Sequence, residues 1–437
     1  MKYINLIILS IFGLTSASNA QKISFTEFDL PNGLHVILHA NKKAPVVAIS
    51  VMYHVGSKDE NPDRTGFAHF FEHLLFEGSD NLKRGEFMKT VSSNGGDNNA
   101  NTSADRTYYY EVFPSNQLEL GLWLESERML HPKIDEIGVS TQREVIKEEK
   151  RMRVDNQPYG KYSEGIFARL FEGSPYRWQT IGSMEHLDAA KLGEFQAFFK
   201  KFYAPNNAVL AISGDIDDPS AKKLVEKYFS EVPRGTEVKK TVYQAKPITK
   251  EIIDTAYDAN IQLPAIFAAY RVPGIKSKEN KIFEMVSSLL SGGASARLNV
   301  ELIDQKRTAL HVQSFYNGME DYGVYTILAI PNNNTPLNEL LNSIDGQLET
   351  LKTDLISKEE YEKLLNQFES SYVTGNTKMI TIAEGLSDGY TFHDKNTGYI
   401  NQELDMIRSV TREDIRRVAN EYFNKNQRIV LYYLPKK

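Results

Sequence analysis

The chain repeats itself, and that limits what it can fold into. Glu194 through Ile212 aligns without a gap on Asp414 through Tyr432, a shift of 220 residues. Both stretches read as a helix ending in paired aromatics (Phe202-Tyr203 and Tyr422-Phe423), then an Asn-containing turn and an apolar strand. Phe71 through Gly78 lies over Val286 through Gly293 at a shift of 215. One such match between amphipathic helices is commonplace, but two at nearly equal shifts argue that the halves share one fold. At 437 residues the chain is also too long for one ordinary core.

Strands are expected at 35–39 and 46–54, after a Pro31-Asn32-Gly33 turn, and again at Tyr108 to Phe113 and Ala208 to Ser213. Helical patterns occupy 66–77, about 83–93, 116–130 and roughly 138–153. Pro233, Gly235 and Pro247 among many lysines mark a linker at 233–248, with domains at 21–232 and 249–437. Met1-Lys2-Tyr3, the apolar run Ile4 to Leu14 and Ser18-Asn19-Ala20 read as a signal peptide over 1–20, cleaved before Gln21. That run is too short to span a bilayer and no later segment is long and apolar enough, so no stable membrane insertion is expected. Export to a periplasm or the exterior is the expectation. The absence of cysteine excludes a disulfide, a lipoprotein anchor and a thiolate metal ligand. Hydrophobic residues at 41%, charged residues at 25% and a net charge of −6 describe a globular protein with no basic block for nucleic acid.

The chemistry concentrates in His69-Phe70-Phe71-Glu72-His73. On a helix, positions four apart lie one above the other, so both imidazoles can reach one ion. Glu72 lies on the same side and can take a proton from a water on that ion, in the inverted order of the zinc-protease H-E-x-x-H arrangement. Phe67, Phe70, Phe71, Leu74 and Leu75 form the core-facing stripe, His69, Glu72 and His73 take the opposite face, and Gly78 follows as a C-cap. The aligned positions of the second half hold Glu284, Ser287 and Ser288, so only the N-terminal half can hold the metal.

A catalytic zinc usually has three protein ligands and an open fourth position. Between Gln142 and Glu149 the chain offers Glu144, Glu148 and Glu149. Helical spacing sets Glu149 between Val145 and Ile146, near Met152, and so inward, while Glu148 joins Glu144 and Arg151 on a charged stripe. An inward carboxylate needs a cation or hydrogen bonds, which makes Glu149 the candidate third ligand.

With these residues in place the chain resembles the pitrilysin and insulinase (inverzincin) metallopeptidases, whose H-x-x-E-H is followed some 75 residues later by a helical glutamate. Here Glu149 lies 76 residues beyond His73. Gly95-Gly96-Asp97-Asn98-Asn99-Ala100, with Thr102, Asp105, Thr107 and Tyr109, is similar to the family's G-G-x-x-N-A region. The resemblance implies an α+β fold of two homologous α/β-roll domains, each a mostly antiparallel sheet packed against helices. It implies zinc on His69, His73 and Glu149, Glu72 as general base, and Asn99 and Ala100 on an edge strand that pairs with an extended peptide. Gln142 stands where many relatives have glutamate, and is expected to support the site from beside the ligands.

The second half departs from that pattern. Single-chain members resemble one another in an arginine and a tyrosine seven residues apart, which hold substrate. Seven beyond Arg297 is Asp304 and seven beyond Arg307 is Ser314, so the pair is missing; Arg307 and His311 read as ordinary surface residues. The expected function is a zinc endopeptidase cutting short or unfolded polypeptides. It would act as a homodimer, or as the metal-bearing half of a heterodimer with a related subunit lacking the motif. A non-catalytic assembly role is the alternative, which the intact motif disfavours. Metal storage would need no Glu72 and would show several histidine clusters, whereas the nine histidines are otherwise scattered. Nitrogen and oxygen donors favour zinc without excluding cobalt or manganese.

Overall fold

The computed structural model describes residues 22–241, 243–332 and 335–436; the segment read as a signal peptide lies outside them. The first half builds β1 (Thr26–Asp29), β2 (His35–Ala40), β3 (Val46–Tyr53), α1 (Phe67–Leu74), α2 (Glu86–Ser93), β4 (Asp97–Thr102) and β5 (Thr107–Pro114). It continues with α3 (Leu118–Leu130), α4 (Glu136–Lys150), α5 (Tyr162–Leu170), α6 (Met184–Ala189), α7 (Leu192–Phe202), β6 (Ala208–Gly214) and α8 (Asp218–Phe229). The second half builds β7 (Ile252–Asp258), β8 (Ala265–Pro273), α9 (Asn280–Ser291), β9 (Ala309–Gly318) and β10 (Tyr322–Pro331). Then come α10 (Leu337–Thr353), α11 (Lys358–Gly375), α12 (Met379–Phe392), α13 (Glu403–Ser409), α14 (Arg412–Tyr422) and β11 (Arg428–Pro435).

Two sheets result, ordered β1-β2-β6-β3-β5-β4 and β7-β11-β8-β10-β9. Each has one parallel pair, β2 with β6 and β7 with β11, and is otherwise antiparallel. From β2 and β7 onward the two orders are the same, element for element, so the repeat is a duplicated α+β unit. The offset of 220 is structural, since β6 begins at Ala208 and β11 at Arg428. Between α8 and β7 the described residues form neither helix nor strand.

The halves exchange a helix. On one face of the first sheet, Ile37, Val209 and Ala211 pack against Ile382, Ala383 and Leu386 of α12, from the second half. In return, Ile166 and Leu170 of α5 pack with Phe267, Ala269, Ile429 and Leu431 of the second sheet. Burial of these apolar faces cannot be completed by either half alone.

A polar cluster joins the halves as well, at the tips of two corresponding hairpins. Asp105 lies in the β4–β5 turn and Glu320 in the β9–β10 turn. Lys58 Nζ sits 2.7 Å from Asp105 Oδ1 and 2.5 Å from Glu320 Oε2, with all three side chains at most 7% exposed. His54 Nε2 and Lys276 Nζ each lie 2.8 Å from a Glu320 oxygen, and the Tyr176 hydroxyl donates to Asp105 Oδ1 at 2.6 Å. Lys58, Asp105 and Glu320 thus satisfy one another out of solvent, with His54 at their edge and the half-exposed Lys276 closing the cluster on the solvent side.

Two expectations about α1 need correction. The helix ends at Leu74 rather than 77, and Gly78 is not its cap. Gly78 instead holds a φ of +123° four residues farther on, where a Cβ would meet the Leu82 carbonyl oxygen at 2.5 Å, so it serves the following turn.

Candidate metal centre

Helix α1 is fixed at its start and along its buried face. The Glu60 carboxylate accepts from the Gly66 and Ala68 N–H groups at 2.9 and 2.8 Å, satisfying donors that a helix N-terminus leaves open. Gly66 (φ +100°) and Gly182 (φ +70°) touch backbone to backbone there; a Cβ on Gly182 would lie 2.4 Å from the Gly66 Cα. The buried Phe67 and Phe70 each place a ring centroid 4.5 Å from that of Phe195 in α7. With that stripe locked, His69, Glu72 and His73 are presented to a cleft of about 850 Å³, lined also by Asn99, Ala100, Thr102, Glu149 and Arg153.

Glu149 reaches the two rings from α4. Its Oε2 lies 3.5 Å from His69 Nε2 and 3.2 Å from His73 Nε2, and its side chain is 12% exposed against 56% for Glu148. The inward placement holds, but the reason offered from periodicity does not. Ile146 is buried, whereas Val145 and Met152 are 44% and 55% exposed. Glu149 therefore stands in the cleft wall, with Val145 and Met152, rather than in the core. Beyond Lys150 the helix widens into a π turn over Arg151–Asp155. That turn brings Arg153 Nη1 to 2.7 Å from Glu149 Oε1. Arg153 was not singled out from sequence, although its i+4 spacing from Glu149 was available.

The donor atoms suit a divalent ion. Ligand atoms of His69, His73 and Glu149 all lie within 4.8 Å of one another, and they are the one such group of three among the described residues. Glu149 Oε2 is buried and makes no hydrogen bond. Burial, and then the neighbouring His73, push the His69 pKa down to about 4, which keeps its ring neutral at neutral pH. The His73 ring, against the upward push of burial, holds Glu149 below the ordinary carboxylate range. Two imidazoles and one carboxylate are the donor set of a catalytic zinc with an open position. The residues present fit the ion.

Glu72 stands beside this group without joining it. Burial raises its pKa, opposed by a hydrogen bond from Thr102 Oγ1 to Glu72 Oε2 at 2.6 Å. Asn99 and Ala100 lie on β4, the outer strand of the first sheet, and the Asn99 side-chain oxygen accepts from the Ala100 N–H at 2.8 Å. Gln142 is placed differently from expectation. Its amide donates to Glu77 Oε1 at 2.5 Å, and Glu77 in turn pairs with Arg84, so Gln142 serves that ion pair and makes no bond to Glu149.

The second half has lost these groups at matching places. On α9, Ser288 donates to Gln367 of α11 at 3.2 Å, a neutral contact where the first half sets His73 against Glu149. Arg297 is held by both oxygens of Glu360, at 2.7 and 2.8 Å. Arg307 and His311 are exposed, as ordinary surface residues would be.

The duplicated α+β scaffold thus carries an H-x-x-E-H helix and a converging glutamate in one half alone. The chain belongs to peptidase family M16: residues 35–178 match Insulinase (Peptidase family M16) and residues 190–368 match the Peptidase M16 inactive domain. It is 32% identical over 412 residues to the zinc protease PqqE of Helicobacter pylori, covering 93% of this chain and 92% of that one. The uncharacterized zinc protease YmxG of Bacillus subtilis is 25% identical, with 92% and 96% covered. Among solved structures, a protease from Helicobacter pylori superposes with a TM-score of 0.88 at 28% identity, covering 94% of this chain and 99% of that chain. Pitrilysin shares the fold at a TM-score of 0.76 and 17% identity; this chain covers 46% of it.

Proposed function

We propose that the chain is a zinc-dependent endopeptidase that hydrolyses short or unfolded polypeptides, exported to a periplasm or the exterior. The observation that carries this is the convergence of His69, His73 and Glu149 beside a carboxylate, Glu72, that is not itself a ligand. A zinc ion held by those three groups would polarise the scissile carbonyl and make water acidic near neutral pH. Glu72 takes the proton of the attacking water and then delivers it to the leaving amine. The outer edge of β4 supplies backbone groups for an extended peptide, which would displace the Asn99 side chain from the Ala100 N–H. A peptide held in that way must be locally unfolded, which sets the substrate class.

A second reading has its own observation. Arg297 is occupied by Glu360 and no tyrosine stands seven residues beyond it, so the second half lacks the substrate-holding pair the resemblance implies. The chain would then be the metal-bearing half of a hetero-oligomer whose related subunit supplies those contacts. A quenched-peptide assay on the purified chain separates the two. Turnover by the lone polypeptide supports a self-sufficient enzyme, while turnover appearing only with a related motif-free subunit supports the pair. No turnover in either case, with metal bound, would refute the peptidase reading.

A further inference from the structure

We propose that Thr102 is a positioning residue for Glu72, holding one carboxylate oxygen so that the other faces the attacking water. This rests on the peptidase reading above and adds to it the group that orients the base. The two oxygens of Glu72 are not equivalent, since Oε2 accepts a 2.6 Å hydrogen bond from the Thr102 hydroxyl. Such a short bond to a carboxylate is among the stronger protein hydrogen bonds. A glutamate side chain in a cleft otherwise has three rotatable bonds to fix, and fixing them before the reaction is a large part of what a catalytic site does.

An edge strand is a weak place from which to orient anything, because it has one hydrogen-bonded neighbour. Here β4 is pinned on its other face. Alternation along the strand turns Asn98, Ala100 and Thr102 to one side and Asp97, Asn99 and Asn101 to the other. Asn101 Oδ1 accepts from Arg106 Nη1 at 2.5 Å, and Arg106 Nη2 donates to Glu384 Oε1 of α12 at 2.7 Å. The guanidinium also lies 5.0 Å over the buried Tyr108 ring. Helix α12 belongs to the second half and is packed on the first sheet, so the strand carrying Thr102 is braced by the other half of the molecule. The hydroxyl is thus a fixed donor, and Glu72 is the flexible partner that it orders.

The test compares Thr102→Val, Thr102→Ser and Thr102→Ala in the metal-loaded full chain. Valine keeps the shape and suits a strand. The expected result is a fall in kcat of about 10- to 100-fold in Thr102→Val and Thr102→Ala, the cost of a misplaced catalytic group. KM and metal content stay unchanged, and Thr102→Ser recovers to within about threefold because the hydroxyl is restored. Independently of turnover, crystal structures of Thr102→Val should show the Glu72 carboxylate in another rotamer while His69, His73 and Glu149 stay in place. The proposal is overturned if Thr102→Val keeps wild-type kcat, if Thr102→Ser is as impaired as Thr102→Val, or if Glu72 keeps its rotamer without the hydroxyl. Absence of turnover in the metal-loaded wild type, alone and with a related motif-free subunit, would instead overturn the peptidase reading itself, so the two failures are distinguishable.

Discussion

Glu72→Gln is expected to bind metal as the wild type does and to lose kcat by about 10²- to 10⁴-fold, the contribution of a positioned general base. The substitution removes one property only. Glutamine has the same length and can still accept from Thr102, but its amide oxygen cannot take a proton from water. The groups that converge on the ion belong to His69, His73 and Glu149 and are untouched. His73→Ala provides the contrast, since deleting an imidazole from a three-ligand site should remove both metal and turnover. Metal analysis beside a quenched-peptide assay reads all three proteins. Turnover of Glu72→Gln within tenfold of wild type would show that another group handles the proton.

Lys58→Met should destabilise the folded chain by about 3–5 kcal/mol, the usual cost of removing one partner from a buried ion pair. Methionine fills the volume, so the loss is electrostatic: Asp105 and Glu320 lose the ammonium group lying between them. Burial alone would raise the Glu320 pKa, yet His54 and Lys58 hold it far below the ordinary range. Such a depressed carboxylate contributes stability that is fully present above its unfolded pKa of about 4.3 and is lost as pH falls toward the folded value. Burial works against the charge on Lys58, but Asp105 and Glu320 raise its pKa, so its contribution holds across the neutral range. Denaturant midpoints should therefore differ most at neutral pH and converge as pH falls below about 4. Equal midpoints at pH 7 would mean that the cluster contributes nothing to holding the halves together.

What could be read from sequence was whatever depends on local spacing. The repeat offsets, the apolar stripe of α1 and the step from His73 to Glu149 are properties of one segment or of two segments compared, and they survive folding. Glu149 marks the limit. Its inward turn was argued from Val145, Ile146 and Met152 as core neighbours, but only Ile146 is buried; Val145 and Met152 are exposed beside the cleft, because a groove wall shows the same apolar pattern as a core. The exchange of α5 and α12 between sheets had no sequence signal, since periodicity gives a helix an apolar face without naming the sheet that covers it. Lys58 was equally silent: a lone lysine before a turn reads as solvated, and only the meeting of two hairpin tips buries it. Gln142 failed for a related reason, because its partner Glu77 comes from the loop after α1.

The central claim is that residues 69, 73 and 149 hold one divalent cation, and anomalous diffraction across the zinc absorption edge tests it most directly. Crystals of the metal-loaded chain should give a single strong peak at about 2.0–2.2 Å from His69 Nε2, His73 Nε2 and a Glu149 carboxylate oxygen. No peak at that place in zinc-loaded crystals, or one held by other side chains while Glu149 points to solvent, would contradict it.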